Sequence, residues 1–283
     1  MLPWTNRAGN FSPLKAATFA LLWLPAAYLA IRWFSGGLGP RPVTEAIHQT
    51  GLWAIRFLLL SLAVTPVRKI LRWNGLIAVR RMIGLSALFY ALAHLLLYAL
   101  DQKWMIAMIA SEIALRIYLT IGFVALLGLG VLGATSTDAA IRRLGRSWNR
   151  LHKIVYAIGV LAVLHFFMQT KADVYEATLM AGLFALLMGY RIAERRGLPL
   201  QSPLVLLGVA IAAALATVAI EYAWYALATG IPPARVLAAN LHFAFSIRPA
   251  WWVLAIGGSV AAAGWARSLA GGAPQTRPKR AVA

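Results

Sequence analysis

"RSWNRLHKIVYAIGVLAVLHFF", residues 146–167, decides the fold of this chain. Arg146, Arg150 and Lys153 crowd one end, and the remainder is almost wholly apolar. A run of this length and character is expected to cross a bilayer as a helix, which takes about 20 apolar residues at ~1.5 Å each. Histidine is costly in such a helix, and an ionisable group inside a membrane is a functional candidate by default. This stretch carries two of the chain's 5 histidines, His152 at the charged end and His165 deep in the apolar part.

The rest of the sequence agrees with a membrane setting. Of 283 residues, 61% are hydrophobic and only 12% are charged, too little charge to keep a soluble domain in solution. There is no cysteine. That excludes disulfides, thiolate metal sites, cysteine-held iron–sulfur clusters and covalent haem attachment. Eight apolar stretches predict spans at about 14–34, 48–66, 82–100, 113–134, 151–170, 174–191, 203–228 and 249–267, separated by Gly, Pro and charge signals that include Pro66. The fold class expected is therefore an all-α membrane protein, a bundle of about eight transmembrane helices. The Thr-Ser-Thr-Asp cluster at 135–138 reads as the N-cap of a short interfacial helix bearing Arg142, Arg143 and Arg146. The tail 271–283, rich in Gly, Pro, Lys and Arg, is expected to be disordered.

Lys and Arg set the orientation. With the N-terminus inside, most of the 27 basic residues fall in cytoplasmic segments (among them Arg7, Arg68, Lys69, Arg72, Arg80, Arg81 and Arg191), whereas Lys171 falls outside with most of the acids. The net charge of +19 is thus a topology signal and a surface for membrane lipids, not a nucleic-acid footprint. Both termini are expected in the cytoplasm.

Depth then pairs the histidines. His94 lies thirteen residues into the third span and His165 fourteen into the fifth, each ~20 Å from the cytoplasmic side. Two helices running the same way place one imidazole each at one level, the geometry for clamping haem b between them. Phe89, Tyr90, Tyr98, Phe166 and Phe167 are available as porphyrin walls. His152 lies ~20 Å below His165, a spacing suited to a second haem, yet an ideal helix turns the two side chains about 140° apart. A π-bulge or strong tilt is then needed to align them. The matching position on the third span is Arg80, so His152 stands either as a ligand lacking its partner or as an interfacial hydrogen-bonder. Arg56, inside the second span, needs a counter-charge, which a haem propionate would supply. Glu221, Tyr222, Trp224 and Tyr225 read as an outer aromatic belt, and His48 and His242 as polar residues near the outer surface.

The stretch "TSTDAAIRRLGRSWNRLHKIVYAIGVLAVLHFF", with "RRMIGLSALFYALAHLLLYALD" and "GLWAIRFLLLSLAVTPVRKILRWNG" upstream, resembles the ferric-reductase-like transmembrane domain over about residues 48–172. Within that domain it is similar to the MsrQ (YedZ) family, the haem-binding membrane subunits of bacterial periplasmic methionine sulfoxide reductase systems. The resemblance implies a six-helix haem-binding core over 1–196, two additional helices over 197–270 and the basic tail 271–283. It implies an inner-membrane cytochrome with His94, His152 and His165 as haem-iron ligands. Electrons would come from the quinone pool or a cytosolic flavin reductase, with FMN as a further cofactor. They would pass to a periplasmic molybdopterin reductase subunit (MsrP-type) that repairs oxidised methionines. The sequence has no nucleotide-binding or molybdopterin module, so a complete catalytic site is not expected. The competing reading is a transporter or metal-ion permease using the intramembrane histidines, which would favour carboxylates inside the spans.

Overall fold

The computed structural model describes residues 2–6, 8–170, 173–243 and 246–270; Arg7, Lys171 and the tail 271–283 lie outside them. In chain order the helices are α1 Pro13–Phe34, α2 Pro42–Ile70, α3 Ile77–Asp101, α4 Ile106–Leu115, α5 Ile117–Ala134, α6 Asp138–Leu144, α7 Arg146–Leu151, α8 Val155–Thr170, α9 Tyr175–Arg195, α10 Pro203–Ala228, α11 Pro233–Ala239 and α12 Pro249–Ala270. Among the described residues, 7 helical stretches are long and apolar enough to cross a membrane, and they coincide with the first seven expected spans. The eighth expected span is α12, whose 22 residues suffice in length; Trp251, Trp252, Trp265 and three glycines dilute its apolarity. The protein is an all-α, multi-pass membrane protein. Its outer surface fits that setting, since large apolar side chains such as Leu21, Leu204, Leu215 and Leu227 are exposed.

Two apolar cores share α2. One joins Phe57 and Leu58 of α2 to Leu22 of α1, Ala87 of α3, Leu129 of α5 and Ile158 of α8. The other joins Ile55, Leu59 and Leu62 of α2 to α9, α10 and α12. Leu206, Ala210, Ala213 and Thr217, all buried, form a stripe along α10 at helical spacing. Small residues there let α9 and α12 approach closely, as packing in lipid requires. A third cluster sets Phe167 of α8 against Val174, Ala177, Tyr225 and Val236.

Three expectations change in detail. The fourth span begins at 117, not 113, because Arg116 breaks the helix in extended backbone (φ −104°, ψ 104°). Its guanidinium is held by Glu112 and Tyr118, so the charge stays at the membrane boundary. The interfacial helix forms, with Thr137 accepting from the Ala140 N–H at 3.1 Å, but ends at Leu144, and Arg146 opens α7. Glu221 is buried, 1% exposed, and pairs with Arg248 and the Asn240 amide, tying α10 to the segment before α12. Tyr225 is also buried and Trp224 stacks on Phe167, so only part of the expected aromatic belt faces outward.

Pro66 does not end the second span; it lies inside α2. Proline has no N–H, so the Leu62 carbonyl loses its usual partner. In a bilayer an orphaned carbonyl has no water to turn to. Arg191 of α9 donates its Nη2 to Leu62 O at 2.6 Å, its Nη1 to Leu187 O at 2.9 Å and its Nε to the Tyr156 hydroxyl at 3.1 Å. One guanidinium thereby repairs α2 and ties it to α8 and α9. Arg191→Leu is expected to lower stability in detergent by about 1–3 kcal/mol, the cost of an unsatisfied buried acceptor. In a Pro66→Ala background, where residue 66 regains its N–H, thermal unfolding should show a smaller loss.

Candidate paired-histidine site

α3 and α8 bring His94 and His165 together, with ring centroids 6.3 Å apart and ring planes at 86°. Each ring is fixed in the same way. His94 Nδ1 lies 2.8 Å from the carbonyl oxygen of Ile47 on α2, and His165 Nδ1 lies 2.8 Å from that of Tyr118 on α5. A carbonyl only accepts, so in both rings Nδ1 carries the hydrogen and donates it. Nε2 is left with its lone pair, the form in which imidazole binds a metal. Each carbonyl precedes its histidine by 47 residues.

Glycine makes the approach feasible. One turn after each carbonyl stands Gly51 or Gly122. A Cβ on Gly51 would meet His94 Nδ1 at 3.0 Å, and one on Gly122 would meet His165 Nδ1 at 2.6 Å. The two half-sites are thus built alike: an apolar helix carrying the histidine, and a neighbouring helix giving a carbonyl and a gap. Sequence reasoning missed both glycines, although their equal spacing ahead of the two histidines was readable.

The separation fits a metal held between the rings. A metal–imidazole bond is about 2 Å and each nitrogen lies about 1 Å from its ring centre, so two rings on opposite sides of one ion have centroids about 6 Å apart. Among the described residues there is no group of three or more His, Asp or Glu able to hold an ion. Two imidazoles alone suit a metal that brings its remaining ligands with it, as haem iron does.

The other expected site residues are placed elsewhere. Arg56 pairs with Glu176 of α9 at 3.3 Å and lies over the Trp53 ring. It is about 140° around α2 from Gly51, so it faces α9 and not the histidine pair. Its counter-charge is a carboxylate of the chain. Phe89 is 64% exposed and lines the cavity that His152 also lines, the Tyr90 hydroxyl bonds to α1, and Phe167 is buried against Trp224. These three do not wall a common plane. His48 and His242 are exposed, His48 within α2 rather than in a loop.

His152 sits in a 3₁₀ turn, His152–Ile154, between α7 and α8. The break in the helix is therefore overwound, the opposite of a π-bulge. Three residues at about 120° instead of 100° bring His152 to within roughly 80° of the direction of His165. Its ring stacks on Trp148 at 3.8 Å, Nδ1 lies 3.2 Å from Trp148 O, and Trp148 is itself anchored through Nε1 to Thr135 O at 2.8 Å. Nε2 is buried with no hydrogen-bond partner. His152 lines a cavity of about 1730 Å³ between α1, α2, α3 and α5 that Arg80, Ser61 and Gly84 also line. The imidazole is thus oriented by Trp148, lies near the Leu132 backbone and faces the cavity.

The glycines give a test of the pair. Gly122→Ala should displace His165 and lower the retention of a bound haem severalfold; Gly51→Ala, whose contact is looser, should do so less. Haem content per protein after purification, by pyridine haemochrome, measures both.

Residues 50–163 match the family described as Ferric reductase like transmembrane component. Several curated relatives carry the name "Protein-methionine-sulfoxide reductase heme-binding subunit MsrQ". One from Xanthomonas campestris pv. campestris (strain 8004) is 46% identical over 188 residues, covering 64% of this chain and 86% of the relative. One from Xanthomonas euvesicatoria pv. vesicatoria is 49% identical over 162 residues, covering 57% and 74%. One from Azospira oryzae is 40% identical over 189 residues, covering 66% and 81%. No solved structure matches the chain. With the expected helices in place and identity of this extent, the chain belongs to the MsrQ family of haem-binding membrane subunits, built on a ferric-reductase-like transmembrane domain.

Proposed function

We propose that this chain is an electron conduit of a bacterial inner membrane, with both termini in the cytoplasm. On this reading it holds haem b between His94 and His165. It passes electrons from the quinone pool or a cytosolic flavin donor to a periplasmic molybdopterin methionine sulfoxide reductase subunit of the MsrP type. The observation that carries the reading is the 6.3 Å pair of histidines, each with Nδ1 committed to a helix carbonyl. Haem b supplies a one-electron carrier when bound.

What the chain's own residues do follows from their surroundings. The carbonyls of Ile47 and Tyr118 hold the rings in one tautomer and make Nε2 more basic. His94 and His165 would both hold the haem iron, which would favour electron transfer over oxygen binding. At the basic end, His152 and Arg80 are the residues for a second group, haem or the flavin FMN, facing the shared cavity. The domain division rests on the same reading: α1–α9 form the core over 1–196, and α10–α12 over 197–270 are an addition packed on α2 and α9.

The deciding experiment is spectroscopic. His94→Ala and His165→Ala are each expected to abolish the low-spin haem spectrum of the purified protein; a full low-spin spectrum in both single variants refutes the paired-histidine reading. His152→Ala is expected to leave that spectrum intact and to slow reduction by donor added from the cytoplasmic side in stopped flow. Loss of the first haem in that variant would make His152 part of the same site.

A further inference from the structure

The turn that closes α2 departs from the usual chemistry of helix ends. Trp73 N–H bonds to Arg68 O at 3.0 Å and Arg72 N–H to Lys69 O at 3.4 Å. This pair of reversed bonds forces the residue just past the helix into the left-handed region, where glycine is the default. Here that residue is Arg72, at φ 52°. A Cβ in this conformation is strained, and since Lys103 and Trp104 also adopt it, the conformation by itself marks no site.

The surroundings set Arg72 apart. Arg72 lines a pocket of about 400 Å³ at the basic end of the bundle, together with Arg68, Lys69 and Asn74 on one side and Glu194, Leu200 and Gln201 on the other. Lys69 and Glu194 form an ion pair and neutralise each other. Among the described residues no ion pair joins Arg68 or Arg72 to a carboxylate. Arg68 Nε is buried without an acceptor, a costly state for a guanidinium N–H. The pocket therefore keeps two unmatched guanidinium groups, flanked by the amides of Asn74 and Gln201. Lys103, in the same position at the end of α3 with φ 50°, is exposed and lines neither this pocket nor the larger cavity.

We propose that this pocket binds a phosphate group, presented by a lipid headgroup or by a soluble phosphomonoester. Two planar guanidinium forks can meet the several acceptor oxygens of a tetrahedral anion, and guanidinium is the side chain suited to bidentate phosphate contacts. The volume exceeds that of a bare anion and lies in the range of small-ligand sites. The site is built from the α2–α3 and α9–α10 turns and uses none of the histidines.

The test uses the full-length purified protein in nonionic detergent, with two probes. Equilibrium dialysis reads binding of radiolabelled inorganic phosphate, and native mass spectrometry reads adducts of phosphatidic acid against phosphatidylcholine. Arg68→Gln and Arg72→Gly should each weaken phosphate binding at least tenfold. Arg72→Gly should also raise the melting temperature, because glycine relieves the left-handed strain; that gain shows the loss of binding is not a folding failure. Phosphatidic acid adducts that outlast phosphatidylcholine in the wild type and vanish in both variants assign a lipid source. Phosphate binding without such adducts assigns a soluble one. Wild-type protein that binds neither probe, or variants that bind as the wild type does, overturns the proposal.

Discussion

A backbone carbonyl inside a bilayer has no water to accept from, so every departure from a regular helix must be answered by another part of the chain. The structure shows two such answers and two further side-chain bonds to helix carbonyls. Arg191 meets the Leu62 carbonyl that Pro66 leaves free. The Tyr90 hydroxyl enters the ladder of α1, accepting from Ala26 N–H at 2.9 Å and donating to Leu22 O at 3.0 Å. His94 and His165 add second bonds to the carbonyls of Ile47 and Tyr118. In each case a polar side chain that would be costly in lipid is placed by the backbone group it satisfies.

The same bonds that make the polar groups tolerable also orient them. An imidazole held at Nδ1 presents Nε2 in one direction, and two such images of one arrangement, carried by α3 with α2 and by α8 with α5, stand with ring centroids 6.3 Å apart. Pre-setting the rings lowers the conformational entropy lost when a metal is bound between them. The glycines at 51 and 122 belong to this economy of space, since a methyl group at either would stand in the place of the ring.

Charge is distributed by the same logic. At the basic end, Lys69 meets Glu194 and Arg81 meets Asp138, while Arg68 and Arg72 gather round a pocket. In the membrane region Arg56 meets Glu176, and toward the opposite end Glu221 meets Arg248. The two pairs fasten the later helices to the rest: Arg56 joins α2 to α9, and Glu221 joins α10 to the approach to α12. α2 is central to both cores, one face carrying the carbonyl and glycine of the histidine site and the other supporting the C-terminal helices.

Sequence alone determined the membrane setting, the order of the first seven spans and the closeness of His94 to His165. Apolar run length and helical rise are local properties, and two helices running in the same direction bring equal depths to one level. The same local arithmetic placed Arg56 at a suitable depth but not on a face, so it could not reveal Glu176, which lies far along the chain on α9. It took Pro66 as a boundary, because only α9 shows that Arg191 replaces the missing N–H. It required a π-bulge or strong tilt to align His152 with His165, and could not show that the break beside Trp148 is a 3₁₀ turn. The carbonyl partners of the histidines, the need for Gly51 and Gly122 and the left-handed Arg72 were decided by tertiary structure. Each depends on which surface of a helix meets which neighbour, and a sequence with little polar patterning leaves that rotation unspecified until the helices pack.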